Sequence, residues 1–164
     1  HGAGNACLYG ATAGRLFVAG SVGQRFAVRN SGAVAVVEGT SDHACEYMTG
    51  GVVAIVGEAG RNIAAGMTGG TLFLHDPHTR IKGHLSADAP APRRLDASDA
   101  ELLRGLLDEH VDRTGSPQVG SLLDDWDDAV RRFWVLRPEP PATTAEYDEQ
   151  SVAVELAEPA DRPT

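Results

Sequence analysis

YMTGGVVAIVG at residues 47–57 recurs 19 residues later as GMTGGTLFLHD at residues 66–76. The same arrangement, a glycine followed by a short apolar run, occurs twice more between Asn5 and Asp76. Four glycines therefore mark a repeat with intervals of 18, 19 and 19 residues: Gly14, Gly32, Gly51 and Gly70. A fixed period of about 20 residues indicates a solenoid, in which each repeat buries its apolar face only against its neighbours.

The apolar runs form two columns of large aliphatic side chains when they are aligned on these glycines. The columns lie two and four residues after the glycines, and their members are Leu16, Val34, Val53 and Leu72, then Val18, Val36, Ile55 and Leu74. A spacing of two residues puts both columns on one face of a strand, and the runs are too short for helices. The repeat predicts an all-β solenoid, a parallel β-helix whose strands stack about 4.8 Å apart.

A third column of short polar residues lies two residues before the glycines: Thr12, Asn30, Thr49 and Thr68. Such side chains suit a corner, where they can hydrogen-bond one coil to the next. We expect the glycines to supply positive φ or close backbone approach at the same corners. A nucleotide-binding glycine loop is a weaker interpretation because the sequence has no P-loop signature.

The opposite face of the predicted strands is also apolar. Its columns are Phe17, Ala35, Ala54 and Phe73, followed by Ala19, Val37 and Val56. An apolar face of this size is unusual in contact with water. We therefore expect either the downstream helical segment or a domain outside this chain to pack on it.

Three segments follow the predicted β-helix of residues 1–85. Residues 86–97 form a proline-containing connector. Residues 98–138 predict two helices and an extended segment, with a capping box at Ser98 and Glu101 and a second helix starting at Ser116 and Pro117. Residues 139–164 are acidic and rich in proline, which predicts a disordered tail with a weak strand at residues 152–156.

Composition excludes several classes of function. A net charge of −9 over 164 residues argues against a nucleic-acid or anionic membrane surface, and no stretch could span a bilayer. Cys7 and Cys45 lie two coils apart, about 10 Å, which exceeds the ~7 Å limit for a disulfide. We therefore expect reduced thiols and a cytoplasmic protein. The chain begins at His1 and enters the repeat almost at once, so we expect it to be part of something longer.

Two polar groups are candidates for chemistry. The first group could bind a metal together with ligands from elsewhere, and consists of Asp42, His43, Cys45 and Glu46. The alternative is a structural role, because the repeat places His43 in a column with Gln24 and Asn62, and Cys45 in a column with Leu8, Phe26 and Ala64. The second group resembles a hydrolytic site in composition, and consists of His75, Asp76, His78 and His84. No recognisable motif places a Ser or Cys nucleophile beside it. Two cysteines are also too few for an ordinary four-thiolate iron–sulfur cluster. We predict no catalytic, cofactor-binding or metal-binding residue in this chain.

Several consecutive segments are specific enough to indicate a family. They are QRFAVRNSGA at residues 24–33, VVEGTSDHACEYMTGG at 36–51, GRNIAAGMTGG at 60–70 and HVDRTGSPQVGSLLDDWDDAVRRFWVLRP at 110–138. Together they resemble the C-terminal glycine-rich (GXGXG) domain of the glutamate synthase large subunit. The acidic tail departs from that pattern.

The resemblance implies a right-handed parallel β-helix at the end of an enzyme that makes two glutamates from glutamine and 2-oxoglutarate. It implies FMN and a 3Fe–4S cluster upstream in the parent subunit, and FAD and NADPH in a small subunit, with none of them held by this chain. The implied partners are the upstream amidotransferase and FMN domains and the small subunit, which a structural β-helix would hold in place. The alternative is a stand-alone β-helix subunit of a related oxidoreductase, such as a split glutamate synthase or a formylmethanofuran dehydrogenase.

Overall fold

The computed structural model describes residues 2–139, so residues 140–164 of the predicted tail, with the strand predicted at 152–156, lie outside the described residues. Four parallel strands form one wall of a solenoid: β1 (Arg15–Val22), β2 (Val34–Thr40), β3 (Thr49–Glu58) and β4 (Gly69–His75). They belong to four successive coils, numbered 1 to 4, and they confirm the predicted β-solenoid. The sheet order is β1-β2-β3-β4-β6-β5.

The segment after the solenoid contains short strands and helices. A short helix, α1 (Ile81–His84), is followed by β5 (Arg93–Arg94), α2 (Ala97–Thr114), α3 (Pro117–Asp124), α4 (Trp126–Ala129), a 3-10 turn (Val130–Arg132) and β6 (Phe133–Leu136). Asp96 is the N-cap of α2 and forms the capping box with Asp99, so the prediction of Ser98 and Glu101 for that role was wrong. No helix within residues 2–139 is long and apolar enough to cross a membrane.

Strand pairing corrects the predicted columns by one residue in coil 2. The first inner column is Leu16, Ala35, Val53 and Leu72. The second inner column is Val18, Val37, Ile55 and Leu74. Val34 and Val36, predicted for the inside, belong instead to the outer face. Val36 pairs there with Phe17 and Ala54, while Ala35 and Val37, predicted for the outside, are buried in the solenoid interior.

The glycine pairs explain this error. Coils 3 and 4 have two adjacent glycines, Gly50–Gly51 and Gly69–Gly70, whereas coil 2 has only Gly32 followed by Ala33. The register places Gly32 with the first glycine of each pair, where a Cβ would overlap the backbone oxygen of Thr12, Ser31 or Thr49 in the preceding coil. The position of the second glycine of each pair is occupied by Ala33 in coil 2. In the other three coils it is a glycine with positive φ, at Gly14, Gly51 and Gly70.

The predicted polar column is also misaligned by one residue in coil 2, where Ser31 rather than Asn30 contacts the neighbouring coil. Asn30 is fully buried and bonds within its own corner, since its side chain accepts from the Ala33 amide at 2.9 Å and donates to the Ala33 carbonyl at 3.0 Å. The neighbouring Ser31 makes the predicted type of contact between coils, because its hydroxyl donates to the Ala11 carbonyl at 3.3 Å. Thr12, Thr49 and Thr68 are exposed.

Positive φ angles at alternate residues shape the other corner of every coil. The positions are Ala6, Leu8 and Gly10 in coil 1, Arg25, Ala27 and Arg29 in coil 2, His43, Cys45 and Tyr47 in coil 3, and Asn62, Ala64 and Gly66 in coil 4. Ten of these twelve residues are not glycine, and each such residue costs about 1–2 kcal/mol in the left-handed region. Hydrogen bonds between coils continue through the corner, as in the Cys45 amide to the Phe26 carbonyl at 2.8 Å. Most residues with positive φ at this corner are therefore not glycines, whereas at the predicted corner Gly14, Gly51 and Gly70 have positive φ and Gly32 allows close backbone approach, as predicted.

The outer face of the sheet is covered by the chain's own helices. Val36, Ala54, Val56 and Phe73 form a buried cluster with residues of α2, α3 and β6: Leu103, Leu106, Leu107, Val119, Phe133 and Val135. The structure thus contains the first of the two expected coverings, the downstream helical segment. Strand β6 also pairs antiparallel with β4 and occupies the edge that the solenoid would otherwise expose.

A charge inside the solenoid should unfold the protein. Val53 is fully buried in the inner column, so Val53→Asp should lower the free energy of unfolding by at least about 4 kcal/mol because it buries an unpaired carboxylate. Ala19→Asp, at an exposed position of β1, is the control and should change it little. Urea denaturation followed by circular dichroism measures both, and equal effects would contradict the assignment of the inner face.

Adding a methyl group should distinguish the close-approach glycines from ordinary ones. Gly32→Ala should lose about 2–3 kcal/mol, because the new Cβ overlaps the Thr12 carbonyl oxygen. Gly105→Ala, inside α2 with open space around it, should gain about 0.5–1 kcal/mol from helix propensity. Thermal unfolding of the two variants decides, and a tolerated Gly32→Ala would contradict the register of coil 2.

Candidate functional site

The first candidate group, around His43, is divided between the surface and the interior. The His43 ring is partly exposed and its Nδ1 lies 2.5 Å from Glu46 Oε1. Cys45 is fully buried in the solenoid core. The corner register aligns His43 with Arg25 rather than Gln24, and Cys45 with Ala27 rather than Phe26, which is the same one-residue shift in coil 2.

The thiols do not fit an iron–sulfur cluster or another thiolate-bound metal. Burial raises the pKa of Cys45 to about 12, so this thiol remains protonated at neutral pH and is a poor ligand. Cys7 Sγ donates to the Gly4 carbonyl at 3.4 Å. Within residues 2–139, no group of three or more His, Cys, Asp and Glu side chains is arranged to hold a metal ion.

The second candidate group lies beside a cleft at the carboxyl ends of the parallel strands. The cleft has a volume of about 530 Å3, and its walls include Thr40, Glu58, His75 and, from α3, Gln118. His78 and His84 also line it, so the structure brings the three predicted histidines to one opening. Asp76 lines the cleft as well, but its carboxylate already accepts hydrogen bonds from the amides of Arg80 and Ile81 in its own loop, at 2.7 and 3.0 Å.

His75 and Thr40 of this cleft do not form an acid–base pair with any residue that the structure describes. Burial lowers the pKa of His75, which keeps the ring neutral at neutral pH. His75 Nε2 and Thr40 Oγ1 are buried and have no hydrogen-bond partner among the described residues. A nucleophile activated by a base needs a direct hydrogen bond between the two, and the described residues supply none to His75 Nε2.

A largely buried carboxylate, 12% exposed and missed in the sequence, joins the helices to the solenoid. Glu38, on the outer face of β2, accepts a hydrogen bond from His110 Nε2 of α2 at 3.0 Å and another from the Ser116 hydroxyl. Ser116 is also the N-cap of α3, accepting from the Val119 amide at 3.2 Å. The available signal was a single acidic residue on an otherwise apolar strand face.

A second buried carboxylate, Asp99, joins the start of α2 to the sheet edge. It is 2% exposed and accepts from Arg93 at 2.6 Å and from Arg137 at 2.9 Å. Burial raises its pKa, but the hydrogen bonds from Arg93, the Asp96 amide and Arg137 outweigh burial, and the net pKa is lowered. Arg93 belongs to β5 and Arg137 directly follows β6. Asp99 therefore fixes α2 to the two strands that close the solenoid.

Removing the Glu38 carboxylate should loosen the helices. Glu38→Ala leaves the buried His110 and Ser116 without an acceptor, and each unsatisfied group costs about 1–3 kcal/mol, so we expect a total loss of about 2–4 kcal/mol. Glu38→Gln retains one acceptor oxygen and should lose less. Urea denaturation measures the free energy of unfolding of both variants. Equal losses in Glu38→Ala and Glu38→Gln would contradict the role of the side-chain oxygen as the acceptor for His110 and Ser116.

Asp99 should make stability depend on pH in the acid range. Its folded-state pKa lies below the ordinary value of 3.8. Its contribution is therefore complete above the unfolded-state pKa and is lost as pH falls through the folded-state pKa. The difference in unfolding free energy between wild type and Asp99→Asn should be about 2–4 kcal/mol at pH 7 and should shrink below about pH 4. A difference independent of pH would contradict this role.

Comparison with known proteins places this architecture in a family. The sequence model of the GXGXG motif family matches residues 2–139. The ferredoxin-dependent glutamate synthase of Spinacia oleracea chloroplasts is 49% identical over 144 residues, which is 87% of this chain and 9% of that protein. A ferredoxin-dependent glutamate synthase of Arabidopsis thaliana is 47% identical over 144 residues, with the same coverage.

A relative with a different electron donor in its name matches equally well. The glutamate synthase (NADH) of Schizosaccharomyces pombe is 46% identical over 136 residues, which is 82% of this chain and 6% of that protein. The chain thus spans less than a tenth of the length of these three relatives. The match covers the solenoid together with the helices that the two buried carboxylates hold on it, and the chain therefore belongs to the GXGXG family as a domain homologous to part of the glutamate synthases.

Proposed function

We propose that this chain is the structural, non-catalytic domain of a glutamate synthase, the enzyme that makes two glutamates from glutamine and 2-oxoglutarate. In this proposal it holds the amidotransferase and FMN synthase domains of the parent enzyme in fixed relation. The observation that carries it is the 49% identity to a segment forming 9% of a glutamate synthase. A segment of this size, conserved as a whole solenoid with its helices, is suited to positioning larger domains.

The chemistry of the described residues supports a positioning role. The carboxylates of Glu38 and Asp99 are used to fasten helices and strands to each other. The protonated Cys45 is part of the core. Residues used in this way stabilise a shape, and catalysis needs groups that remain free to meet a substrate.

Cofactors and location follow as further parts of the proposal. FMN and a 3Fe–4S cluster would belong to the upstream part of the parent enzyme, and FAD and NADPH to a small subunit if the parent has one. The relatives' names include both ferredoxin and NADH types, so the donor is decided outside this chain. We place the parent in the cytoplasm, although the relative from Spinacia is named as chloroplastic.

Domain replacement tests the structural role. The homologous segment of the Spinacia enzyme is exchanged for residues 1–139, and ferredoxin-dependent glutamate formation is measured. We expect activity within about tenfold of the parent, since a positioning domain affects rate through geometry. His43→Ala and His75→Ala in the exchanged segment should retain it, whereas Val53→Asp should abolish it together with the folded domain.

Two results would contradict the proposal. A folded hybrid with His75→Ala that loses activity while keeping its assembly would make this segment catalytic. Activity unaffected by Val53→Asp would mean that the solenoid is dispensable. Restoration of activity by adding the chain in trans to an enzyme lacking the segment would instead favour the stand-alone subunit.

A further inference from the structure

A groove at the last corner of the solenoid is not used by the packing described above. It has a volume of about 1020 Å3 and lies between coil 4, helix α1 and strand β6. Pockets for drug-sized ligands have volumes of about 300–1,000 Å3, so this groove can accept part of a polypeptide. It adjoins the cleft at the strand ends, since Ala59, Arg80 and His84 border both.

The groove carries an excess of positive charge in a protein of net charge −9. Arg61, Arg80 and Lys82 line it and are exposed. None of the three forms a salt bridge with a carboxylate within residues 2–139. Asp42 also lines the groove, and its carboxylate accepts from the Arg61 amide at 2.7 Å. A concave surface with a net positive charge attracts a negatively charged segment.

Apart from Thr79 and His84, the rest of the lining carries no polar side chain, and its aromatic ring is held in place. Ile81 is 4% exposed, and Pro92 and Trp134 are partly buried. The Trp134 indole N–H donates to Asp76 Oδ2 at 3.2 Å, and the Arg94 guanidinium stacks 3.7 Å from the ring centre. A fixed aromatic ring with cations around it fits a ligand that is both acidic and apolar.

We propose that this groove binds the chain's own residues 140–164. That segment has six acidic residues and one arginine: Glu146, Asp148, Glu149, Glu155, Glu158, Asp161 and Arg162. Four large apolar residues lie among them: Tyr147, Val152, Val154 and Leu156. The segment thus matches both features of the groove, its apolar lining and the three cations that have no salt-bridge partner within residues 2–139.

The chain path makes this contact easy to reach. Trp134 lines the groove, and the segment begins six residues later at residue 140. Its 25 residues can extend roughly 80 Å, far more than the groove requires. A tethered segment has an effective concentration on the order of mM. Weak, charge-driven contacts are therefore enough to populate the bound state.

Lys82 is the only lysine of the chain, which permits a direct test. A water-soluble carbodiimide joins an amine to a carboxylate in contact with it, and peptide mass spectrometry then identifies the partner of Lys82. In the full chain we expect Lys82 joined to acidic residues of 140–164. Raising the salt concentration from about 0.1 M to about 1 M, which shortens the Debye length from about 10 Å to about 3 Å, should reduce the yield.

Matched charge removals separate the groove from general electrostatics. Arg61→Ser with Arg80→Ser removes two groove cations and should lower the cross-link yield by about fivefold or more. Arg29→Ser with Arg25→Ser removes two exposed cations from the coil 2 corner and should leave it within about twofold. Circular dichroism verifies that both variants fold. In a Trp126→Phe background, where Trp134 is the one tryptophan of the sequence, changing the six tail carboxylates to amides should make acrylamide quench Trp134 fluorescence more strongly.

Three outcomes would overturn the proposal. The first is a Lys82 joined only to carboxylates within residues 2–139. The second is an equal loss of the cross-link in the two double variants. In a mixture of unlabelled and nitrogen-15-labelled chains, Lys82–tail cross-links of mixed isotope composition would identify a second copy as the occupant. Cross-links confined to single chains, lost with Arg61 and Arg80, support the proposal.

Discussion

Close stacking of one coil on the next is the constraint on which the rest of this structure depends. Backbone hydrogen bonds join neighbouring coils along the strands and through the corners. Ten corner residues other than glycine adopt positive φ, a conformation that costs about 1–2 kcal/mol at each of them. An isolated coil has no neighbouring coil whose hydrogen bonds and buried contacts could offset this conformational cost. The corners therefore form only as part of the stack, as expected for a solenoid stabilised by nearest-neighbour contacts.

The stack also decides which parts of the fold the sequence could predict. Spacing near 19 residues and alternation of period two are sufficient to predict stacked strands, because both follow from side chains that must alternate between two faces. The register of coil 2 was not predicted, since the repeat has one glycine fewer there and a count based on Gly32 chooses the wrong neighbour. Positive φ at Arg25, His43 and Cys45 could not be predicted from composition either. It results from stacking rather than from the preference of those residues.

The candidate polar groups show the same limit of local sequence. His43 and Cys45 are close in sequence, yet one side chain reaches the surface and the other the core. Glu38 and His110 are 72 residues apart and meet only because α2 covers the outer face of the sheet. No local motif can indicate such a pair. Its visible trace is one acidic residue in an apolar strand, which a search for clustered ligands passes over.

The covering of the outer face changes what the solenoid implies about partners. The apolar columns of that face are covered within the chain, by α2, α3 and β6, so they are no argument for a missing domain. A larger enzyme built on this chain has other surfaces to use: the corners with exposed Tyr9 and Tyr47, or the cleft at the strand ends. These surfaces are more polar than the covered face, and contacts between domains of one chain are commonly of that polar kind. A rigid body with polar outer contacts can fix the distance between neighbouring domains while its own core remains independent of them.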